Sequence, residues 1–456
     1  MSDKFVKKIE TCPAENIFFS EEQVELNNFP AKTEWGIVNF FDDVVYQEVL
    51  GFGGAFTESS AYLYSLLSES DKKRFLELYF DREMGIGYNF GRSHINSCDF
   101  SLGVYSSVEE GDKTLETFNL DREKKYILPF LKDALAYCKE EIVLFASPWS
   151  PPAYMKDNND MLHGGKLLDE YKSVWAHFYA KYIKAMAEEG VKISAISIQN
   201  EPNAKQTWES CNYSPEEERE FIDKYLIDAL DEEDLSDIKI LIWDHNKECL
   251  YDRAKKILSN ERVNKRVWAV AHHWYSGDHF DSLRLVYEQL GKPLVCGEFC
   301  GPITEDVNAL AERYGIEICE NFNNFEIALC DWNLLLDQNG GPYHNRNAKT
   351  DGDLFENKDD GCYAPILYDT EKEELVVTPI YYYMGHFSKY VQRGAKRVAT
   401  TKHSRYLYSC GFVNPDGSKV CVIINTADKR ISANLRYNDG CTRIIMKPHS
   451  IITLVF

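Results

Sequence analysis

The sequence predicts an α/β fold, a (β/α)8 barrel with an attached all-β side domain built from both ends of the chain. Three observations carry this. Eight short apolar runs recur through the middle of the chain, helical patterns lie between them, and the segments outside this repeat read as strands. The rival, a doubly wound open sheet, fits less well: the run count is eight and no Gly-rich nucleotide loop comes after the first run.

The runs are Val49–Phe52, Gly87–Arg92, Ile142–Ala146, Ile193–Ile198, Ile238–Trp243, Val267–His272, Pro293–Cys296 and Ile327–Trp332. Most are rich in β-branched or aromatic residues and bounded by Gly, Pro, Asn or Asp, as buried parallel strands are. Tyr171 to Glu189 has helical spacing, with Val174, Phe178 and Tyr182 on one face and Gly190 at its end. Ser214-Pro215-Glu216-Glu217 has the form of a capping box, with Ser at N-cap, Pro at N1 and Glu at N3. Residues 1–46 hold short apolar runs and no long helical pattern. Beyond Gly385 the segments Arg405–Phe412, Lys419–Asn425, Arg430–Tyr437 and Arg443–Phe456 alternate with Asn-Pro-Asp-Gly and Asn-Asp-Gly turns. The expected division is therefore 1–46 and 385–456 for the side domain and 47–384 for the barrel. His344–Cys362 is rich in Gly, Asp and Asn and reads as a long loop. Its Asp351-Gly-Asp353 and Asp359-Asp360 lack calcium-loop spacing and read as solvated.

Composition narrows the function. Apolar residues make up 44% of the chain and aromatics 13%, which suits a large core and excludes disorder as the main state. With 73 acidic against 51 basic residues, a net charge of −22, the chain would repel a nucleic-acid backbone. No apolar run is long enough to span a membrane. The 13 cysteines are scattered without a CxxC pair, and the N-terminus has no apolar signal region, so a reduced, cytoplasmic protein is expected. The oligomeric state is not readable.

A barrel gathers its reacting groups at the C-terminal ends of its strands. In chain order, the runs lead into Arg92, Asn96 and Asp99; Ser147 to Pro152 with Trp149; Asn200-Glu201-Pro202; Asp244 and His245; His272 to Tyr275; Glu298; and Asp331-Trp332-Asn333. Two glutamates, Glu201 and Glu298, thus share one mouth. Paired carboxylates suit glycoside hydrolysis, in which one protonates the leaving oxygen and the other attacks the anomeric carbon or activates water. Trp149, Trp274, Tyr275 and Trp332 offer flat faces for sugar C–H surfaces, and Arg92, Asp99 and Asn200 are hydroxyl partners. Glu201 is expected to hold the proton and Glu298 the charge. His272 and His273 point to opposite faces of a strand, so the pair is read as hydrogen-bonding rather than metal-binding. Cys300 is read as wall packing. No metal or cofactor is called for. A non-catalytic sugar-binding barrel and a metal-dependent hydrolase remain the competing classes.

The stretches Gly51-Phe-Gly-Gly-Ala-Phe-Thr57, Gly85-Ile-Gly-Tyr-Asn89, Ser97-Cys-Asp-Phe-Ser101, Ser147-Pro-Trp-Ser-Pro151, Asn200-Glu-Pro202, His273-Trp-Tyr275, Gly297-Glu298, Asp331-Trp-Asn333 and Gly385-His-Phe-Ser-Lys389 resemble, in order, glycoside hydrolase family 30, in its glucosylceramidase branch. The resemblance implies a retaining β-glycosidase acting on β-glucosides, with a glycoside as its small-molecule substrate. It further implies Glu201 as general acid/base, Glu298 as nucleophile and Asn200 on the sugar 2-hydroxyl. Asp99 and Trp149 would hold the far hydroxyls, Tyr275 would sit beside the nucleophile, Trp332 would line the sugar site, and Arg92 and His273 would support it. β-Fucosides, β-xylosides and β-1,6-glucan are the alternative substrates. Gln199 stands where the animal enzymes carry an acidic residue, and Cys296-Gly297 replaces a different pair before the nucleophile.

Overall fold

The computed structural model describes residues 5–27, 29–30, 32–344 and 361–456. The bulk of the expected 344–362 loop, with its aspartates, lies outside the described residues.

Eight parallel strands close into a barrel: Gly51–Ala55, Phe90–Ile95, Val143–Pro148, Ile193–Ser197, Lys239–Asn246, Val267–His273, Leu294–Glu298 and Glu326–Asn333, the last pairing back onto the first. Phe90, Phe145, Ala195, Leu241, Ala269, Val295 and Ala328 are buried together in one cluster that fills the interior. A larger apolar layer lies between the strands and the surrounding helices, where Trp175, Phe178, Tyr179 and Tyr182 of the helix Lys172–Glu188 are buried. Gly190 ends that helix with φ +83, a conformation that glycine reaches without steric cost. The capping box at Ser214 is present in full, its hydroxyl accepting from the Glu217 N–H and the Glu217 carboxylate from the Ser214 N–H. Gly53 allows the first two strands to approach, because a Cβ there would sit 1.5 Å from the Phe90 carbonyl oxygen.

Most of the strands end later than the apolar runs. The second runs through Ser93 and His94 to Ile95, and the fifth continues through Asp244, His245 and Asn246. These polar residues still satisfy the ladder with their backbones. The hydropathy signal stops where the side chains turn from packing to chemistry.

The side domain is a nine-stranded sheet in the order Ile17–Glu25, Phe5–Cys12, Ser450–Val455, Lys419–Asn425, Leu407–Val413, Lys396–Thr401, Ile37–Glu48, Asn434–Tyr437 and Gly440–Thr442. Phe5–Cys12 and Ser450–Val455 pair antiparallel, from Lys7 opposite Val455 to Thr11 opposite Ile451. The Asn414–Gly417 turn closes the expected hairpin, with Gly417 at φ +86. The expected long strand Arg443–Phe456 is instead two shorter ones, Ile445–Met446 and Ser450–Val455, because Pro448 has no N–H to donate and His449 is left-handed at φ 46. The helix Pro379–Ser388 crosses the expected boundary at residue 385 and seats the barrel on the sheet. Its buried His386 lies between the hydroxyls of Thr11, at 2.9 Å, and Thr453, at 2.8 Å. Burial pushes that imidazole down to about 3, so it is neutral. Among the described residues no helix is long and apolar enough to cross a membrane.

Candidate active site

The register of the barrel slips at several of its C-terminal strand ends, and those slips aim the site. Pairing shifts between Trp243 and His245, between Cys296 and Glu298, and between Asp331 and Asn333. A bulge re-aims the side chain at its centre. At the first of them Trp243 and Asp244 both adopt left-handed backbone conformations, φ 73 and 51. Glu201 does so too, at φ 49, and its N–H donates to the Asp244 carbonyl at 3.0 Å. Such conformations persist in non-glycine residues where the surroundings over-determine them, and they cluster at working sites.

Arg92 is the hub. Its guanidinium is fully buried and donates to Glu298 Oε2 at 2.5 Å, Asp244 Oδ2 at 2.8 Å, Asn200 Oδ1 at 2.8 Å and Ser147 Oγ at 3.2 Å. It also lies over the Trp149 ring, 4.6 Å from its centre. Asp244 in turn accepts from Ser147 and Ser197 hydroxyls and meets His273 Nε2 at 3.1 Å. The other ring nitrogen of His273 is 3.2 Å from Glu201 Oε1. Tyr275 donates its hydroxyl to Glu298 Oε1 at 2.9 Å. One chain of contacts thus runs Glu201–His273–Asp244–Arg92–Glu298–Tyr275. The ligand atoms of Glu201, His273 and Glu298 all lie within 4.8 Å of one another.

These contacts set the charges. Burial opposes ionisation of Asp244, but Arg92 and His273 overcome it and hold that carboxyl well below the usual range. Burial likewise opposes a charged His273, yet Glu298, Asp244 and Glu201 raise it to about 9, so it is a cation at neutral pH. Burial would raise Glu201, and the imidazoles of His245 and His273 outweigh it and draw the carboxyl down to about 2. Glu298 stays above the ordinary glutamate value because burial, with the Glu201 charge added, exceeds the pull of His273, Arg92 and Tyr275. Of the two carboxyls in the empty site, Glu298 is therefore the one that holds a proton more readily, the reverse of the expectation from sequence.

The walls complete a cleft of about 310 Å³, within the usual size of a small-molecule site. Asp99, Trp149, Asn200, Tyr275 and Trp332 line it with both glutamates. Trp149 and Trp332 stack at 5.1 Å. Asp99 is buried, which pushes its carboxyl well up, with the Glu298 and Glu209 charges adding to the rise; its Oδ1 has no partner among the described residues. All nine residues expected at the site are in this assembly, Arg92 and His273 beneath it and the others at its surface. Trp274 is not: it packs against Phe299 and Tyr314, with its N–H on the Cys300 carbonyl. Trp208 and Phe100 take the aromatic places instead. His272 faces away onto Glu326, as strand alternation requires.

Sequence reasoning placed Asp244 at the mouth and gave it no part, and it passed over Ser197. The available signal was a carboxylate and two small hydroxyls ending otherwise apolar strands. Gln199 has a structural task, donating to the carbonyls of Trp149 and Asn200. Glu201, His273 and Glu298 are close enough to share a cation. However, the Arg92 guanidinium already occupies Glu298, and a cationic His273 has no lone pair to give.

Residues 49–391 match the glycosyl hydrolase family 30 TIM-barrel domain, and residues 394–454 match that family's β-sandwich domain. The chain belongs to glycoside hydrolase family 30. It is 30% identical to the lysosomal acid glucosylceramidase of Mus musculus over 438 residues, covering 90% of this chain and 81% of the mouse protein. Among solved structures it resembles SrfJ from Salmonella typhimurium, with a TM-score of 0.92, 33% identity and 99% of each chain covered. It also resembles the endo-β1,6-glucanase BT3312, with a TM-score of 0.86, 26% identity and the same coverage.

Proposed function

We propose that this family 30 hydrolase is a retaining β-glycosidase that cleaves β-glucosides, with Glu298 as nucleophile and Glu201 as acid and base. The observation that carries it is the approach of the two carboxylates, whose nearest oxygens lie within 4.8 Å. Retaining enzymes hold their carboxyl groups about 5–5.5 Å apart, whereas inverting enzymes need about 6.5–9.5 Å to admit a water between nucleophile and sugar.

The working state carries one proton on the pair. Entry of a sugar between Trp149, Trp332 and the glutamates displaces water from Glu201 and disfavours its charge. The proton then moves to Glu201, and Arg92 and Tyr275, bonded to the two oxygens of Glu298, hold the anion left there. Glu201 protonates the glycosidic oxygen while Glu298 attacks the anomeric carbon, giving a glycosyl-enzyme. Glu201, now the base, takes a proton from water, which attacks the same carbon and releases Glu298. His273 holds Glu201 in place through both steps, and Asn200, fixed by Arg92, faces the reacting sugar as a hydroxyl partner.

Glucose is favoured by the paired presence of Asp99 and Trp149 in the cleft. The likeness to BT3312 favours a second reading, β-1,6-linked glucan, with the same chemistry. The test is a panel of 4-nitrophenyl β-glycosides and a β-1,6-linked glucose disaccharide, run beside Glu298→Ala. Release of nitrophenol from the glucoside, lost in the variant, is the expected result. Cleavage confined to the disaccharide selects the second reading. Wild-type turnover equal to that of Glu298→Ala on every substrate would overturn the assignment.

A further inference from the structure

The wall of the cleft contains a thiol pair that the proposed mechanism does not use. Cys300 lies two residues after Glu298, and its Sγ is 3.2 Å from the Sγ of Cys362, although 62 residues separate them in the chain. Both line the cleft. The two backbones are held in register by an isolated antiparallel bridge between Pro302 and Cys362. The Ile303 N–H also donates to Gly361 at 2.7 Å, and the Tyr363 N–H to Gly301 at 2.8 Å. All 13 cysteines are free, and Cys362 is one of three that are not fully buried. Cys300 is also 3.3 Å from the Tyr275 hydroxyl that holds Glu298.

We infer that Cys300 and Cys362 form a reversible modification site, closing to a disulfide with a small-molecule disulfide such as oxidised glutathione and thereby slowing turnover at the adjacent carboxylates. Cys362, the more exposed thiol, attacks the incoming disulfide as its thiolate and releases one glutathione thiol. Cys300 then attacks the mixed disulfide at the Cys362 sulfur and releases the second. The two protein thiols are oxidised, their two electrons reduce the incoming S–S bond, and both protons end on glutathione. The neighbouring thiol and burial push Cys300 up, which makes it the resolving rather than the attacking partner.

Bonded sulfurs sit about 2.05 Å apart, so the pair must close by roughly 1.2 Å from its present separation. That movement disturbs the contact between Cys300 and Tyr275 and shifts the wall two residues from the nucleophile. Displacements of about 1 Å near a reacting centre cost up to about 10²-fold in rate.

The activity readout rests on the glycosidase reading, whereas the covalent readout does not. The full chain is equilibrated with oxidised glutathione, digested without reduction and mapped by mass, and kcat/KM on an aryl β-glycoside is followed in parallel. A peptide joining Cys300 to Cys362, an activity loss of about 10- to 100-fold and recovery with dithiothreitol are expected. Cys362→Ser and Cys362→Ala are each compared with their own reduced state and should lose the response. Two free thiols after equilibration would overturn the proposal, as would a disulfide that leaves kcat/KM unchanged. If no glycoside is turned over at all, the glycosidase reading fails while the mapped peptide still decides whether the bond forms.

Discussion

Replacing Tyr275 with Phe separates the two steps of the reaction. The phenol donates to Glu298 at 2.9 Å, while Arg92 keeps the other carboxylate oxygen. In the first step the carboxylate spends its charge on the anomeric carbon, so the bond is no stronger in the transition state than before it. In the second step Glu298 leaves as an anion and the bond strengthens as charge returns. A hydrogen bond to a charged group contributes about 1.5–3 kcal/mol, which at 1.4 kcal/mol per decade is about 10- to 100-fold. On 2,4-dinitrophenyl β-glucoside, whose leaving group needs no proton, kcat should fall by that factor and KM should fall with it. A stopped-flow trace should show a burst of about one dinitrophenolate per site. The phenol also lowers the Glu298 carboxyl, so its loss raises that group further. The alkaline limb of kcat/KM, where the pair loses its last proton, then moves up by about one unit for 1.4 kcal/mol. An unchanged kcat, or equal falls in kcat and kcat/KM without a burst, would refute the assignment.

Glu201→Gln should slow alkyl β-glucosides by about 10²–10⁴-fold and dinitrophenyl glucoside far less in the first step, read from pre-steady-state rates. Proton NMR of the first product should show the β-anomer ahead of mutarotation, and α-anomer first would require inversion. Asp244→Asn removes an anion that keeps His273 charged, so His273 falls, Glu201 loses its cation and rises from about 2. The acid limb of the pH profile, where the second carboxyl is protonated, should therefore move to higher pH. Ser214→Ala removes the cap on Glu217 N and should cost about 0.5–2 kcal/mol, seen as a lower denaturation midpoint that Ser214→Thr largely restores.

The barrel was legible because its strands are apolar and its helices amphipathic, two periods that differ plainly. That two glutamates share the mouth was legible because each lies within three residues of the end of an apolar run. What escaped was the connectivity beneath them. Asp244 sits in sequence like any strand-end aspartate. Its role depends on Arg92, Ser147, Ser197 and His273 converging from four other strands, and no local pattern encodes that meeting. The order in which the two carboxyls take up a proton escaped for the same reason, since His245 and His273 reach Glu201 only through barrel closure. Trp274, the first residue past the strand Val267–His273, misled because adjacent residues look alike in sequence while facing different ways.

The sheet that pairs Phe5–Cys12 with Ser450–Val455 has a bearing on how the protein is made. A ribosome adding about 5–20 residues per second delivers the second strand well after the first has emerged. Until then the Phe5–Cys12 edge next to its future partner is unpaired, with Val6 and Ile9 bared. Barrel closure can precede it, because Gly51–Ala55 and Glu326–Asn333 are both synthesised earlier. The nascent chain should thus carry a nearly complete barrel and an open sheet edge until Ser450–Val455 is made, which is the stretch of synthesis when a holdase chaperone has most to grip.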